Sequence, residues 1–392
     1  MREIYFDHAA TTPLLPKVVE AMLPYLKEHW GNPLSLHRFG DRPREAMEKA
    51  RAQVADLIGA QPREIYFTAS GSEANNMAIK GAALMNQKKG EHIVVSAIEH
   101  HSVLNSAKTL EKLGFEVTVV PVDEHGLVNP DDLAAAIRED TTLVSVMHAN
   151  NEIGTIEPIV EIAQALKERS TTRHLPYIHT DAVAAAGILP VDVKELGVDL
   201  LSLAGNQFYG PQGAGALFIR KGVRVMPLID GGIQEGGRRA GTENVAAIVG
   251  LGVAAELAKA EREDWERHLI PLRDRLIERL TTEIDHVYLT GHPTLRLPGH
   301  VSICVEFIEG ESMLLFLSMQ GVAVSSGSTC TSRALKASHV LTAIGMPAAL
   351  AQGSLVFTIG KDNTMEDVDY VMDVLPPIVQ RLRQMSPLYK GG

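Results

Sequence analysis

Between residues 60 and 220, short apolar runs at 64–68, 92–96, 117–121, 143–148, 177–180, 200–203 and 215–219 alternate with longer helix-like stretches such as 73–84 and 159–169. Runs this short and this apolar suit strands covered on both faces, and their alternation with helices predicts a mainly parallel sheet joined by crossover helices. Upstream, 17–28 and 44–58 read as amphipathic helices that follow Pro-containing sequence, with the smaller domain as their expected packing partner. Downstream come a long helical stretch from 244 to about 280, strand-like 301–305 and 355–359, helix-like 312–319, and a closing helix at 365–384. Pro376-Pro377 predicts a kink or break in that last helix. The fold class is therefore α/β. A large domain over 14–255 holds the mainly parallel sheet, and a smaller α+β domain is built from 1–13 and 256–392.

Composition narrows the function. The 392 residues carry 37 Lys plus Arg against 48 Asp plus Glu, a formal charge of -11 that repels phosphate backbones and anionic lipid surfaces. Nucleic acid and membrane are excluded as main partners. The two cysteines, Cys304 and Cys330, are too few for a disulfide framework or a four-cysteine metal site. With no apolar run of about 18 residues and no secretory h-region, the expected location is the cytoplasm.

In an open α/β sheet ligands collect beyond the carboxyl ends of the strands, and four junctions there carry chemistry. Residues 68–73 run from a strand through Ser70, Gly71 and Ser72 into a helix, a phosphate cradle or an ordinary N-cap. Glu99, His100 and His101 offer a ring for stacking or proton transfer, with a hydrogen-bonded surface pair as the plain alternative. The cluster at 148–152, which includes Asn151, is polar directly after an apolar strand, and capping is its plain reading. Asp181 ends a strand where a carboxylate can pair with a pyridinium nitrogen or cap a helix. Late in the chain, small polar residues at 325–332 surround Cys330, a loop thiol able to react, whereas Cys304 reads as a core residue.

Together these segments resemble the cysteine desulfurases of iron-sulfur cluster assembly, pyridoxal-phosphate enzymes of the class V aminotransferase group and of fold type I. The signposts are residues 5–12, Gly31-Asn32-Pro33, Glu73-Ala74-Asn75-Asn76, Glu99-His100, 148–154, 325–330 and 383–389. The resemblance implies a homodimer that takes sulfur from L-cysteine onto Cys330 as a persulfide and passes it to a scaffold protein. It also implies that Gly71 and Ser72 hold the cofactor phosphate, His100 stacks on the ring, Asn151 meets its hydroxyl side and Asp181 pairs with its nitrogen. Thr242 would reach the phosphate of the partner subunit.

Five positions depart from the family pattern. Gln207 stands where a lysine forms the Schiff base with the cofactor, and a carboxamide has no amine for that bond. Ala204 replaces a phosphate-binding serine, Asn206 a histidine and Ala184 a glutamine facing the ring, while Val356 occupies the place of the arginine that clamps the substrate carboxylate. The expectation drawn from these changes is a desulfurase-like chain without classical turnover and with no covalently held pyridoxal phosphate. Cys330 would then carry sulfur or serve as a ligand to an iron-sulfur cluster shared with a scaffold. Two other readings stand beside it. One is an active desulfurase that holds pyridoxal phosphate non-covalently, and the other is a non-catalytic regulatory or structural subunit.

Overall fold

The computed structural model describes residues 2–169, 175–327, 337–387 and 389. Twelve strands are present among them: β1 Ile4–Tyr5, β2 Ile65–Thr68, β3 His92–Ser96, β4 Glu116–Val120, β5 Thr141–Ser145, β6 Tyr177–Asp181, β7 Leu200–Ala204, β8 Gly215–Ile219, β9 Val287–Leu289, β10 His300–Val305, β11 Val322–Ala323 and β12 Ser354–Thr358. Seven form the central sheet in the order β2-β8-β7-β6-β5-β3-β4. From β7 to β4 every pairing is parallel, while β8 runs antiparallel to both β2 and β7. β3, β5, β7 and β8 are buried along their whole length, which explains why they read as unbroken apolar runs. The chain leaves β3 outward to β4 and returns on the other side as β5. This reversal of strand order opens a crevice at the carboxyl ends of β3, β5 and β6.

A second, antiparallel sheet has the order β12-β10-β9, and β1 pairs in parallel with β11. Bridges from Asp7 to Thr358 and from Ser325 to Val356 stitch both short segments onto β12. The N-terminus thus joins the C-terminal sheet, and Asp7, Ser325 and Val356 lie on neighbouring backbones facing the crevice.

The helix Val245–Glu283 is continuous through the 255/256 boundary drawn from the sequence. The helices Pro16–Lys27 and Arg38–Leu57 pack against this helix rather than against the small sheets. Gly252 permits the contact, since a Cβ there would lie 2.6 Å from the Cα of Ala50. The second of these helices starts at Arg38, ahead of the expected 44, and carries Pro43 inside. Its buried Gly40, Pro43 and Met47 recur at helical spacing, and that packed stripe offsets the lost backbone bond.

The closing helix likewise runs unbroken over Met365–Met385 through Pro376 and Pro377. The expected break is overridden by a buried face of Val368, Val371, Met372, Leu375, Ile378, Val379 and Leu382, and the N-terminus is secured by a capping box between Thr364 and Asp367. The expected helix at 73–84 begins at Gly71 and passes through a π-helical stretch at Met77–Gly81. Among the described residues no helix is long and apolar enough to cross a membrane.

Beneath the crevice, Glu99 is fully buried and binds three elements at once. Its carboxyl accepts from Met147 N at 2.7 Å, from Ser96 Oγ at 2.7 Å and from Ser145 Oγ at 3.4 Å. Ser145 Oγ also meets His179 Nδ1 at 2.9 Å, and His179 Nε2 meets Ser202 Oγ at 3.0 Å, so the polar row crosses from β3 to β7. Burial pushes Glu99 and Glu157 each up to about 8 and the ring of His179 down to about 3. A carboxyl raised on folding favours the native state fully below its unfolded value near 4.5, and that contribution is lost as pH rises from there through the folded value. The buried neutral histidines have the opposite sign, but their effect is complete above their unfolded value near 6.5. Thermal unfolding should therefore show stability falling between about pH 6.5 and 8. Glu99→Gln, which keeps the amide-like bonding without the titration, should flatten that fall. An unchanged slope in the variant would remove Glu99 from the account.

Candidate active site

The crevice is a cleft of about 440 Å³. Its lining includes Gly71, Ser72, His100, Asn151, Asp181, Ala184, Ala204, Asn206, Gln207 and Val356, which are ten of the positions singled out in the sequence. Thr242 is exposed and does not line it. Cys330 lies outside the described residues.

The turn after β2 is shaped by reciprocal capping. Ser70 accepts from Glu73 N at 3.1 Å, and Glu73 accepts from Ala69 N at 2.9 Å. Arg239 Nε holds the Glu73 carboxylate from behind at 2.9 Å. A Cβ on Gly71 would stand 2.5 Å from Val183 Cγ2, so glycine lets this turn close down on the segment that follows β6. The result brings backbone N–H groups at a helix start to one end of the cleft.

At the other end Asp181 terminates β6, only 3% exposed. Its Oδ2 accepts from Asn75 Nδ2 at 2.6 Å and its Oδ1 from Val183 N at 2.9 Å. Burial raises the carboxyl above the usual range, against the pull of the His100 ring and of these two bonds. The Asn75 amide also donates to Ser102 Oγ at 2.8 Å. Ser102 in turn gives its hydroxyl proton to His100 Nδ1 at 2.7 Å, and its backbone N–H reaches the same nitrogen at 3.1 Å. With Nδ1 accepting from both, the proton of a neutral His100 resides on Nε2. Asp181, Asn75, Ser102 and His100 thus form one continuous chain of hydrogen bonds, with Asn75 donating in both directions.

After β5, Asn150 shapes the loop by accepting from Glu152 N at 2.8 Å and Ile153 N at 2.9 Å, while its amide donates to Ile98 O at 2.9 Å. Asn151 is the next residue and lines the cleft. Glu152 lines it too, bonded by Ser338 Oγ and pushed up by burial to about 7. Asp7 lines the opposite wall, where burial raises its carboxyl despite a bond from Ser325, and its Oδ1 is buried without a partner. Sequence reasoning gave no role to Asn75, Glu152 or Asp7. Each belongs to a quoted motif, but only folding brings their polar atoms into the cleft.

The departures from the family pattern are packed into this wall. Gln207, in the turn Gly205–Gln207 after β7, donates its amide to Ala9 O at 3.0 Å. Asn206 Nδ2 lies 3.4 Å from Ala10 O, and Thr12 N donates to Asn206 O at 2.8 Å. These side chains brace the N-terminal segment against the turn. Val356, 2% exposed, pairs both ways with Ser325 through the backbone. Three carboxyl groups, Asp7, Glu152 and Asp181, line the cleft, and among the described lining residues there is no Lys or Arg. Cys304, fully buried with its thiol pushed up to about 12, is a core residue. Among the described residues no cluster of three or more His, Cys, Asp or Glu could hold a metal.

The class-V aminotransferase family model matches residues 4–371. Cysteine desulfurase IscS of Methanosarcina thermophila is 54% identical over 387 residues, covering 99% of this chain and 94% of that protein. The cysteine desulfurase of Rattus norvegicus is 46% identical, covering 100% of this chain and 86% of that one. Among solved structures, a NifS-like protein superposes with a TM-score of 0.91 at 37% identity, covering 97% of this chain and all of the other. The expectation that this chain stands apart as a form without desulfurase function, its pyridoxal phosphate doubtful, finds no support in relatives this similar over this length. They favour the reading of an active desulfurase that was placed beside it. The chain belongs to the class-V aminotransferase family, within the cysteine desulfurases, whose members depend on pyridoxal phosphate.

Proposed function

We propose that the chain is a cysteine desulfurase that holds pyridoxal phosphate non-covalently and takes sulfur from L-cysteine onto Cys330, as a homodimer serving an iron-sulfur scaffold protein. The observation that supports this most is the Asp181-Asn75-Ser102-His100 chain, which stands intact at the carboxyl ends of β6 and β3. When bound, pyridoxal phosphate supplies an aldehyde and an electron-withdrawing ring that labilise bonds beside an amino acid's nitrogen. A buried carboxylate at Asp181 suits a protonated ring nitrogen, and the partnership keeps both charged where either alone would be neutral. His100 offers a ring face held in one orientation by Ser102, Ser72 and the backbone at Gly71 offer donors for the phosphate, and Asn151 offers an amide for the hydroxyl side.

Gln207 cannot make the covalent bond that a lysine makes, so retention rests on these contacts alone. The proton carrier is also displaced. Of the groups that line the cleft, Glu152 titrates near neutrality and His100 presents an N–H at Nε2, and we assign proton movement to this pair. Val356 offers the substrate carboxylate no charge, which predicts weak capture of L-cysteine. The domain division at 255/256 is proposed as a functional one, with β12 of the second sheet bringing Val356 to the cleft and the segment after β11 bringing Ser325.

Gel filtration after loading with pyridoxal phosphate should yield a coloured protein that loses its colour on dialysis and releases alanine slowly from L-cysteine. Failure to bind the cofactor, with no alanine formed, would return the chain to the role of a sulfur carrier. Asp181→Ala should weaken binding by about tenfold or more, the worth of one charge-assisted contact. Val356→Arg should lower KM for L-cysteine by roughly 10- to 100-fold with less change in kcat, and an unchanged KM would remove the carboxylate clamp from the explanation.

A further inference from the structure

The unsatisfied atoms of the cleft are acceptors. Asn75, 1% exposed, spends its amide nitrogen on Asp181 and Ser102 and leaves Oδ1 buried without a partner. Asp7 Oδ1 is in the same condition on the opposite wall. Gln207, partly buried and lining the same cleft, spends its amide nitrogen on Ala9 O, and its amide oxygen is able only to accept. A buried acceptor without a donor disfavours the empty cleft, and a ligand that brings donors relieves it. A free aldehyde brings only another acceptor to this wall.

From this we infer that the cleft selects a vitamin B6 phosphate already carrying nitrogen at its reactive carbon, with pyridoxamine phosphate the simplest case, over the free aldehyde. The inference rests on the non-covalent reading of the site and names the form of ligand it takes. Asp7 and the Gln207 amide oxygen would be the groups to hold an ammonium on the ligand in place of the one absent from the protein. Asp181, with Asn75 Oδ1 beside it, would hold the protonated ring nitrogen. The ionisation of Asp7, disfavoured by burial, is drawn back by the incoming charge. A cleft arranged in this way accepts an amino substrate already joined to the cofactor, so the missing lysine is no obstacle to occupancy.

Equilibrium dialysis of the purified full chain against pyridoxamine phosphate and against pyridoxal phosphate tests this without any turnover. The amine form should bind about tenfold tighter or better, the worth of one charge-assisted hydrogen bond. Asp7→Asn should narrow the preference, and Gln207→Lys should reverse it. Equal affinities, or a tighter aldehyde, would overturn the inference while leaving non-covalent cofactor binding in place. Absence of binding by either compound would overturn both.

Discussion

A carboxyl group buried at the end of β6 cannot keep its charge without partners, and the arrangement around Asp181 follows from that constraint. Asn75 reaches it from the helix after β2, and Val183 N reaches it from its own turn. The same Asn75 amide organises Ser102 and, through it, His100 at the end of β3. One buried charge thus orders side chains from three strand ends, and the reversal of strand order between β3 and β5 leaves the space in which they meet.

The opposite wall is assembled from distant parts of the chain. Asp7 comes from the N-terminal segment, Gln207 and Asn206 from the turn after β7, and Val356 from β12. These contacts brace the N-terminal segment, so the residues that differ from the family pattern are structural members in their own right. Gln207 closes a hydrogen bond to Ala9 O at 3.0 Å. Their chemistry nevertheless differs from that of a lysine and an arginine. The cleft is rich in acceptors and carboxyl groups, and its positive charge has to arrive with the ligand.

Much of the fold was legible in the sequence because β3, β5, β7 and β8 are buried on both faces and appear as apolar runs. Proline was the misleading signal. Pro43, Pro376 and Pro377 lie within helices whose buried stripes outweigh the local penalty, and an estimate from local propensity carries no information about that packing. The short strands β1, β9 and β11 were missed because two or three residues establish no period. At the site, ten singled-out positions line one cleft, but Asn75 and Asp7 could be valued only once their unpartnered oxygens were located. The functional weight given to the five departures at 184, 204, 206, 207 and 356 was too great, because relatives about 50% identical over the whole length carry the desulfurase name.

In the non-covalent reading the cleft retains a B6 phosphate through hydrogen bonds and charge, with no covalent link to the protein. Borohydride treatment of the pyridoxal-phosphate-loaded chain, followed by mass spectrometry of its peptides, tests this most directly. Denaturation should then release all of the cofactor, as pyridoxine phosphate where hydride has reduced its aldehyde, with no reduced label on any residue lining the cleft. A stoichiometric label on one lysine, retained through denaturation, would contradict it.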